Sequence, residues 1–596
     1  MTVSTLSELF RVVVAHDKPD CLLHKVDGRY QPISTREFAA WVRALAKTLE
    51  RWGIRPGDRV ALMAENGPHW PTVDFAVLAL GAVHVPIYAT LLPEGAAYVV
   101  RDSGARVVFV GGRQRLEGLL GVRDQMPSVE RFVLIGDGPV PEGVVAYERA
   151  LAEGADVDPA EFQSWLDRAR PSDLATLIYT SGTTGDPKGV MLTHGNLASN
   201  ASTCSGILPM KRDWVALSFL PLAHSFERTI DYVFFHCGVS IAYAESVQTV
   251  GQNMLEVRPH VFGSVPRVYE KVRSKVLESA AEASGLRKRI FDWSLATGHA
   301  ALPQRLVFED PSWKLRLADK LVFSKIRARL GGRFEYAVSG GAPLGKEVAE
   351  FFWAAGIPLL EGYGLTETSP VIAVNTPEAV RIGTVGRPIP GVEVRIAADG
   401  EILSRGPHIM KGYFNQPQAT ADAIDSDGWF RTGDIGALDA DGFLSITDRK
   451  KEIIVNAYGK NIAPAPIEGE LKAGRWTAQA VVVGDRRPFL VALLVPNFES
   501  LAPWAKARGI AGGPEEWVRD ERVRALFEEE LERVNSHHER YEQVRAFELL
   551  PRELTLENGE LTPTMKVKRR IIHERFRPVL DRLYEGSSEE HQRGRE

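Results

Sequence analysis

A chain of 596 residues is too long for one hydrophobic core, so at least two domains are expected. With 72 Lys and Arg against 77 Asp and Glu, the formal charge of −5 gives no general attraction for nucleic acid, and 44% hydrophobic with 25% charged residues is ordinary for a soluble globular protein. The three cysteines, Cys21, Cys204 and Cys237, form no CxxC pair; neither a disulfide framework nor a cysteine metal cluster is indicated, which fits a reducing compartment.

The opening Met1-Thr-Val-Ser-Thr lacks the basic-then-apolar pattern of a secretory signal, and no apolar stretch reaches the roughly 20 residues of a spanning helix, so a cytoplasmic protein is expected. Ser34-Thr-Arg-Glu37 has the form of a capping box, and Phe38, Trp41, Val42, Leu45, Ala46 and Leu49 keep helical spacing up to Gly53. A strand over Gly57–Met63, a helix over Trp70–Leu80, a strand over Ala82–Ile87 and apolar runs at Val107–Val110 and Phe132–Ile135 follow. Strands alternating with helices predict a largely parallel, helix-covered sheet of the α/β class.

Leu174–Tyr179 reads as a buried strand and leads into Thr180-Ser-Gly-Thr-Thr-Gly-Asp-Pro-Lys-Gly189. Glycines let backbone approach an anion, successive N–H groups form a concavity for it, and hydroxyls plus Lys188 add donors: together they suit a polyphosphate. Pro187 stands where a Walker loop needs glycine, and Val190-Met-Leu-Thr193 reads as a second strand rather than a helix. This segment resembles the signature loop of the adenylate-forming superfamily, which includes acyl-CoA synthetases, luciferases and peptide-synthetase adenylation domains. The resemblance spans roughly residues 30–580 and implies a large N-terminal domain of helix-covered sheets, residues 1–447, with a small mobile α+β C-terminal domain, residues 448–596. Ser181, Gly182, Thr183, Thr184, Gly185 and Lys188 would hold the ATP phosphates.

Further motifs follow in the order of that superfamily. Pro221-Leu-Ala-His-Ser-Phe-Glu-Arg228 offers His224, which the resemblance places at the junction of acyl group and nucleotide. Arg258–Lys271 resembles the matching segment of long-chain fatty acyl-CoA synthetases. The long stretch from Lys271 to Arg333 is basic and helical, with Trp293, Trp313 and Phe323 interspersed; short-acid and aryl-acid ligases generally carry much less there. Such a basic, aromatic-bearing region also suits an anionic membrane surface, so peripheral contact at the inner membrane face is an expectation. In Ser339-Gly-Gly-Ala-Pro-Leu344 and Glu361-Gly-Tyr-Gly-Leu-Thr-Glu-Thr368, small residues let a flat ring lie on backbone and Tyr363 offers an aromatic face. By resemblance Gly341 and Ala342 flank one side of an adenine, Gly362 and Tyr363 the other, Thr366 meets the α-phosphate and Glu367 ligates Mg²⁺.

Gly428-Trp-Phe-Arg-Thr-Gly-Asp434 presents a carboxylate in what reads as a tight loop, suited to two ribose hydroxyls. In Gly442–Glu452 the resemblance makes Asp448 the hinge, Arg449 a ribose and phosphate contact and Lys451 a nucleotide neighbour, while Gly459 begins the loop that meets the pantetheine arm of coenzyme A. Ala480–Gly484 and Phe489–Val495 read as a hairpin followed by acidic amphipathic helices. Leu561-Thr-Pro-Thr-Met-Lys-Val-Lys-Arg569 keeps the family's Lys-x-x-Arg spacing at Lys566 and Arg569, with Met565 in place of the usual glycine and Lys568 as a neighbouring candidate. The tail after Tyr584 has the composition of a disordered segment. The activity implied is an AMP-forming long-chain fatty acid–CoA ligase that uses ATP, coenzyme A and Mg²⁺. A medium-chain or aryl acid, or a silent nucleotide- or lipid-binding relative, stays open, as do chain length and oligomeric state.

Overall fold

Two extended sheets dominate the first 390 residues. The fold is given by a computed structural model that describes residues 2–180, 187–246, 248–555, 558–562 and 567–593, with side chains as far as residue 585. One eight-stranded sheet has Arg59–Met63, Val83–Ile87, Val107–Gly111, Arg131–Ile135 and Val144–Ala146 running parallel. Leu174–Thr180 joins it beside Val83–Ile87 and turns back antiparallel as Lys188–Thr193. The strands are β-branched runs without polar alternation, as expected where helices cover both faces, and every residue of Val83–Ile87 is buried. A nine-stranded sheet carries Tyr336–Ser339 and Leu359–Gly364 near one edge. At the other edge an N-terminal hairpin, Leu22–Val26 with Arg29–Ile33, pairs in parallel with Ser240–Tyr243.

The helix Thr35–Arg51 starts as the sequence predicts. Ser34 Oγ accepts from the Glu37 N–H, and the Glu37 carboxylate accepts from the Ser34 N–H at 2.8 Å. Its apolar stripe buries Phe38, Val42, Leu45 and Leu49, each worth about 1.5–3 kcal/mol relative to exposure. Phe38 stacks on Phe235 at 5.8 Å, and Phe10 and Phe75 close the cluster, which ties the first helices to Ser225–Cys237.

Under the strand Leu174–Thr180 lies a buried polar knot. Asp74 accepts from Arg228 Nε at 3.2 Å and Tyr232 Oη at 2.6 Å, and contacts His84 Nδ1 at 2.7 Å; Arg228 Nη1 donates to Thr176 Oγ1 at 2.8 Å. Burial alone raises a carboxyl pKa, yet Arg228 and His84 pull Asp74 down to about 2. The knot fixes the helices His69–Ala79 and Ser225–Cys237 against the strand that opens the glycine-rich loop.

Beyond these sheets, Glu393–Ile396, Glu401–Arg405, Phe430–Leu438 and Leu444–Arg449 form an antiparallel four-stranded sheet. After Ile454 the chain builds a smaller α+β unit, in which Thr477–Val483 and Leu490–Pro496 form the expected hairpin. Val544–Leu549 adds a third strand, parallel to the second. Sequence reading gave only helices there, because six residues following the long polar helix Glu521–Asn535 show too little period-two alternation to stand out. The tail also differs from expectation: Arg577–Arg593 is helical, anchored where Leu580 and Tyr584 are buried and Tyr584 Oη donates to the Val483 carbonyl at 3.1 Å. The Lys271–Arg333 stretch is helical as expected, but Phe323 is a core residue under Arg305 rather than a surface aromatic. Among the described residues no helix is long and apolar enough to cross a membrane.

Candidate functional site

A cavity of about 1650 Å³ lies where the hairpin Leu174–Thr193, the ends of Tyr336–Ser339 and Leu359–Gly364, and the C-terminal unit converge. Its lining includes Lys188, His224, Gly341, Gly362, Tyr363, Thr366, Glu367, Arg449 and Lys451 of the residues singled out by sequence. Ser181, Gly182, Thr183, Thr184 and Gly185 lie outside the described residues, as does Lys566. Thr562 and Val567–Ile571, described on either side of Lys566, do line the cavity. Lys568 is among them. Arg569, also in that lining, anchors the unit internally through Glu468 at 2.8 Å, Glu452 at 3.3 Å and the Val482 carbonyl at 3.0 Å.

At the end of the hairpin, Lys188 Nζ sits 4.9 Å from the Tyr413 ring centre, and Tyr413 Oη donates to Glu367 Oε1 at 2.9 Å. Gly412–Tyr413 pairs antiparallel with Val190 and Met191, so the aromatic is placed by the strand that carries Lys188. Cation, ring and carboxylate thus form one unit. Tyr413 was missed in sequence; its only signal is an aromatic after glycine in Met410-Lys-Gly-Tyr413. Thr366 is buried in a single 3₁₀ turn and lies 3.2 Å from Ser225 Oγ. His224 caps Ser225–Cys237: its Nδ1 accepts from the Phe226 N–H at 3.1 Å, which in the neutral ring leaves the proton on Nε2.

Gly340 and Gly341 lie where no side chain fits easily. A Cβ at Gly340 would come within 2.7 Å of the Phe226 ring, and Gly341 has φ 80°. Ala342, next in the chain, is exposed and outside the lining. Leu344 N–H donates to Glu361 Oε1 at 3.2 Å, joining the two loops that flank this part of the cavity. Burial pushes the Glu361 carboxyl up to about 8. Glu361, the first residue of its motif, is a second group that sequence reading passed over.

Asp434 is not in a loop. It lies within the strand Phe430–Leu438, buried, just before a register shift at Ile435 and Gly436, and Gly433 ahead of it has φ 72°. The glycines that suggested a turn mark this irregularity. Asp434 Oδ2 accepts from Tyr363 Oη at 2.7 Å and Oδ1 lies 3.3 Å from Arg449 Nε. Asp448, on the neighbouring strand, accepts from the Ala465 N–H at 3.3 Å, and burial raises its pKa to about 6. Gly459 is in an exposed turn closed by its N–H to the Asn456 carbonyl at 2.9 Å and does not line the cavity.

Away from these polar groups the same cavity is walled by Cys204, Leu208, Met210, Val233, Phe234 and Val261. One end therefore offers donors and a carboxylate to a polyanion, and the other offers hydrocarbon to an apolar chain. The carboxylate fits a divalent magnesium ion: Mg²⁺ commonly takes one or two protein carboxylates and fills its sphere with phosphate oxygens and water.

Residues 12–414 match the family model described as AMP-binding enzyme, and residues 451–588 match that of the AMP-binding enzyme C-terminal domain. The chain is 39% identical over 600 residues to the long-chain-fatty-acid–CoA ligase FadD15 of Mycobacterium tuberculosis, covering 98% of both chains. It is 32% identical over 616 residues to the human long-chain-fatty-acid–CoA ligase 1, covering 98% of this chain and 87% of that one. Among solved structures, the adenylation domain of a carboxylate reductase from Mycobacterium chelonae aligns with a TM-score of 0.77 at 23% identity, over 97% of this chain and 91% of that one. An anthranilate CoA ligase in complex with anthranoyl-AMP aligns with a TM-score of 0.74 at 19% identity, over 97% and 98%.

Proposed function

Because the chain belongs to the AMP-binding enzyme family, we propose that it is an AMP-forming fatty acid–CoA ligase acting on long acyl chains, in the cytoplasm where ATP and coenzyme A are supplied. The observation that carries this reading is the single cavity whose polar end, Lys188, Thr366 and Glu367, continues into walls of Leu208, Met210, Val233 and Phe234. The near full-length likeness to long-chain relatives supports the choice of acid.

In the first step the acid's carboxylate attacks the α-phosphorus of ATP, forming acyl-adenylate and releasing pyrophosphate. Two anions must be brought together, so the protein's task is to offset charge and align the reactants. Lys188, with the hydroxyls of Ser181, Thr183 and Thr184, holds the outgoing phosphates; Thr366 donates to the α-phosphate. Tyr363 and Gly362 lie against one face of the adenine and Gly341 against the other, while Asp434 accepts from the ribose hydroxyls. Glu367 would hold Mg²⁺, which when bound supplies charge neutralisation on the phosphates. Lys566 reaches the developing anion from the small domain.

In the second step the small domain, residues 448–596, turns about Asp448, withdraws Lys566 and brings the Gly459 loop to the cavity. The coenzyme A thiol then attacks the acyl carbonyl, giving acyl-CoA and AMP. The position of Gly459 outside the cavity and of Lys568 inside it supports this order, since only one of the two surfaces can face the nucleotide at a time.

The test is acid-dependent pyrophosphate release across a panel of chain lengths, aryl acids and amino acids, followed by thioester formation. Maximal rates on long chains are expected. Release with none of them would refute a ligase, and a maximum on aryl or short acids would refute the acyl class. Lys566→Ala should abolish adenylate formation and leave thioester formation from supplied acyl-adenylate largely intact.

A further inference from the structure

Fourteen large hydrophobic side chains are exposed among the described residues, and six of them fall between Leu286 and Leu317. An even scatter over the chain would put about one there, so this block carries a marked excess, the first of two features that set its surface apart. The six are Leu286, Trp293, Val307, Phe308, Trp313 and Leu317, with exposures from 37% for Trp293 to 71% for Leu286. They ride on a block of short helices, Leu286–Ala300, Leu302–Leu306 and Trp313–Ala318, continued by Asp319–Phe323 and Ser324–Ala328. The inner side of this block is settled: Ser294, Gly298, Leu315, Ala318 and Phe323 are buried. A Cβ on Gly298 would come within 2.7 Å of the Ala354 carbonyl, so the first helix packs backbone-close on Lys346–Ala354. The outer residues keep helical register. Leu286 and Trp293 are seven apart, and Trp313 and Leu317 four apart, so each pair shares a face turned away from the core.

Charge on this block has the opposite sign to the chain as a whole. Between residues 286 and 329 ten Lys and Arg stand against four Asp and Glu, in a protein with a net charge of −5. Two of the acids are internally matched, Asp292 with Lys288 at 2.8 Å and Asp319 with Arg327 at 2.6 Å. The excess is carried by Arg287, Arg289, Lys314, Arg316, Lys320 and Lys325, all exposed. Lys314 Nζ lies 5.8 Å from the Trp313 ring centre, so cation and indole already sit side by side.

We propose that this block is the docking face for an anionic phospholipid bilayer. Trp313, Leu317, Leu286 and Trp293 enter the interface between headgroups and acyl chains, and the flanking lysines and arginines lie at the level of the phosphodiesters. A second copy of the chain is a poor occupant, because an isologous contact would set two patches of the same positive sign against each other. Nucleic acid would satisfy the cations but leave Leu286, Val307 and Leu317 without any reason to be exposed. The block packs on Lys346–Ala354, the helix between the strands Tyr336–Ser339 and Leu359–Gly364, and none of its own residues lines the cavity, so its outer face is separate from the site described above. The docking itself is independent of the ligase reading: it concerns partition of the protein, whatever acid it activates.

The experiment is co-sedimentation of the full chain with vesicles of phosphatidylcholine alone or mixed with phosphatidylglycerol. Wild type should bind the mixed vesicles, lose binding as salt rises, and bind neutral vesicles at least about tenfold more weakly. Trp313→Ala/Leu317→Ser should weaken binding about tenfold or more, and Lys314→Glu/Arg316→Glu/Lys320→Glu about a hundredfold. Both should keep the wild-type melting midpoint and wild-type pyrophosphate release with a water-soluble acid; should the apolar variant misfold, the charge variant decides alone. Wild-type binding by the charge variant, equal binding to neutral vesicles, or no vesicle binding at all would overturn the proposal. Loss of a dimer or of nucleic-acid binding in the variants, without loss of lipid binding, would overturn it equally.

Discussion

Asp434→Asn separates a ribose-reading carboxylate from a merely structural one. In the present structure Asp434 spends one lone pair of Oδ2 on Tyr363 Oη at 2.7 Å and faces Arg449 Nε with Oδ1 at 3.3 Å. Asp434 is buried and lies just behind the cavity-lining Thr432 and Gly433, so ribose hydroxyls would reach its carboxylate by adding to or displacing the contacts with Tyr363 and Arg449. A hydrogen bond to a charged acceptor contributes about 1.5–3 kcal/mol and a neutral one about 0.5–1.5 kcal/mol, so the amide loses roughly 1–1.5 kcal/mol per hydroxyl. Two hydroxyls give about 2–3 kcal/mol, or roughly 30- to 150-fold weaker ATP binding. The assay is equilibrium binding of ATP and of 2′,3′-dideoxy-ATP to wild type and variant. By the same figures wild type should prefer ATP over the dideoxy nucleotide by about 3–6 kcal/mol, more than about a hundredfold, and the variant by about 1–3 kcal/mol, so that the variant's discrimination is smaller by roughly 30- to 150-fold. Tyr363→Phe, which removes one anchor of the carboxylate and keeps the aromatic face, should cost about 1 kcal/mol, near fivefold. If the Asp434→Asn protein still discriminated against the dideoxy nucleotide as strongly as the wild type, Asp434 would not be the ribose acceptor and the placement of the nucleotide would be wrong.

Tyr413→Phe keeps the ring under Lys188 but removes the hydroxyl from Glu367; half-saturation by Mg²⁺ in pyrophosphate release should rise about fivefold, with the rate at saturating Mg²⁺ within about twofold. An equal loss at all Mg²⁺ concentrations would refute the pairing of Tyr413 with a metal-holding carboxylate. Arg228→Met leaves Asp74 buried without its cation and should destabilise the large domain by about 3–5 kcal/mol, seen as a lower melting midpoint, and adding Asp74→Asn should restore at least half of the loss. Glu361 has a raised pKa, so the stability it contributes is complete below its ordinary value near 4.5 and is lost as pH rises through about 8. The wild-type melting midpoint should therefore fall between about pH 5 and 8 more steeply than that of Glu361→Gln and run parallel to it above that range; parallel curves throughout would show that this carboxyl is already ionised at neutral pH.

Local patterns carried most of what could be read without coordinates. The capping box at Ser34, the hairpin on either side of the glycine-rich loop and the alternating strands and helices rest on neighbours in sequence, and the structure reproduces them. The polar end of the site was legible because its residues sit in short motifs whose composition has a chemical purpose, as with Thr366 and Glu367. Tyr413 and Glu361 escaped because their roles depend on partners distant in the chain or in another motif: Tyr413 is set by pairing with Val190, and Glu361 by the Leu344 amide. Asp434 was found but its setting was misread, since glycine before aspartate looks alike in a turn and at a strand irregularity. The apolar walls were illegible for a simpler reason: Leu208, Val233 and Val261 are ordinary core residues until the fold shows which of them face a cavity.

The N-terminal hairpin imposes an order in time. Leu22–Val26 has its outer neighbour in Arg29–Ile33 at once, but its inner one, Ser240–Tyr243, is made more than two hundred residues later. At 5–20 residues per second the nascent chain carries that open edge for roughly 10–40 s. An early segment must thus stay unaggregated until a late one arrives to receive it, and a version truncated before residue 34 would leave Ser240–Tyr243 as an uncovered sheet edge, prone to pair with another molecule.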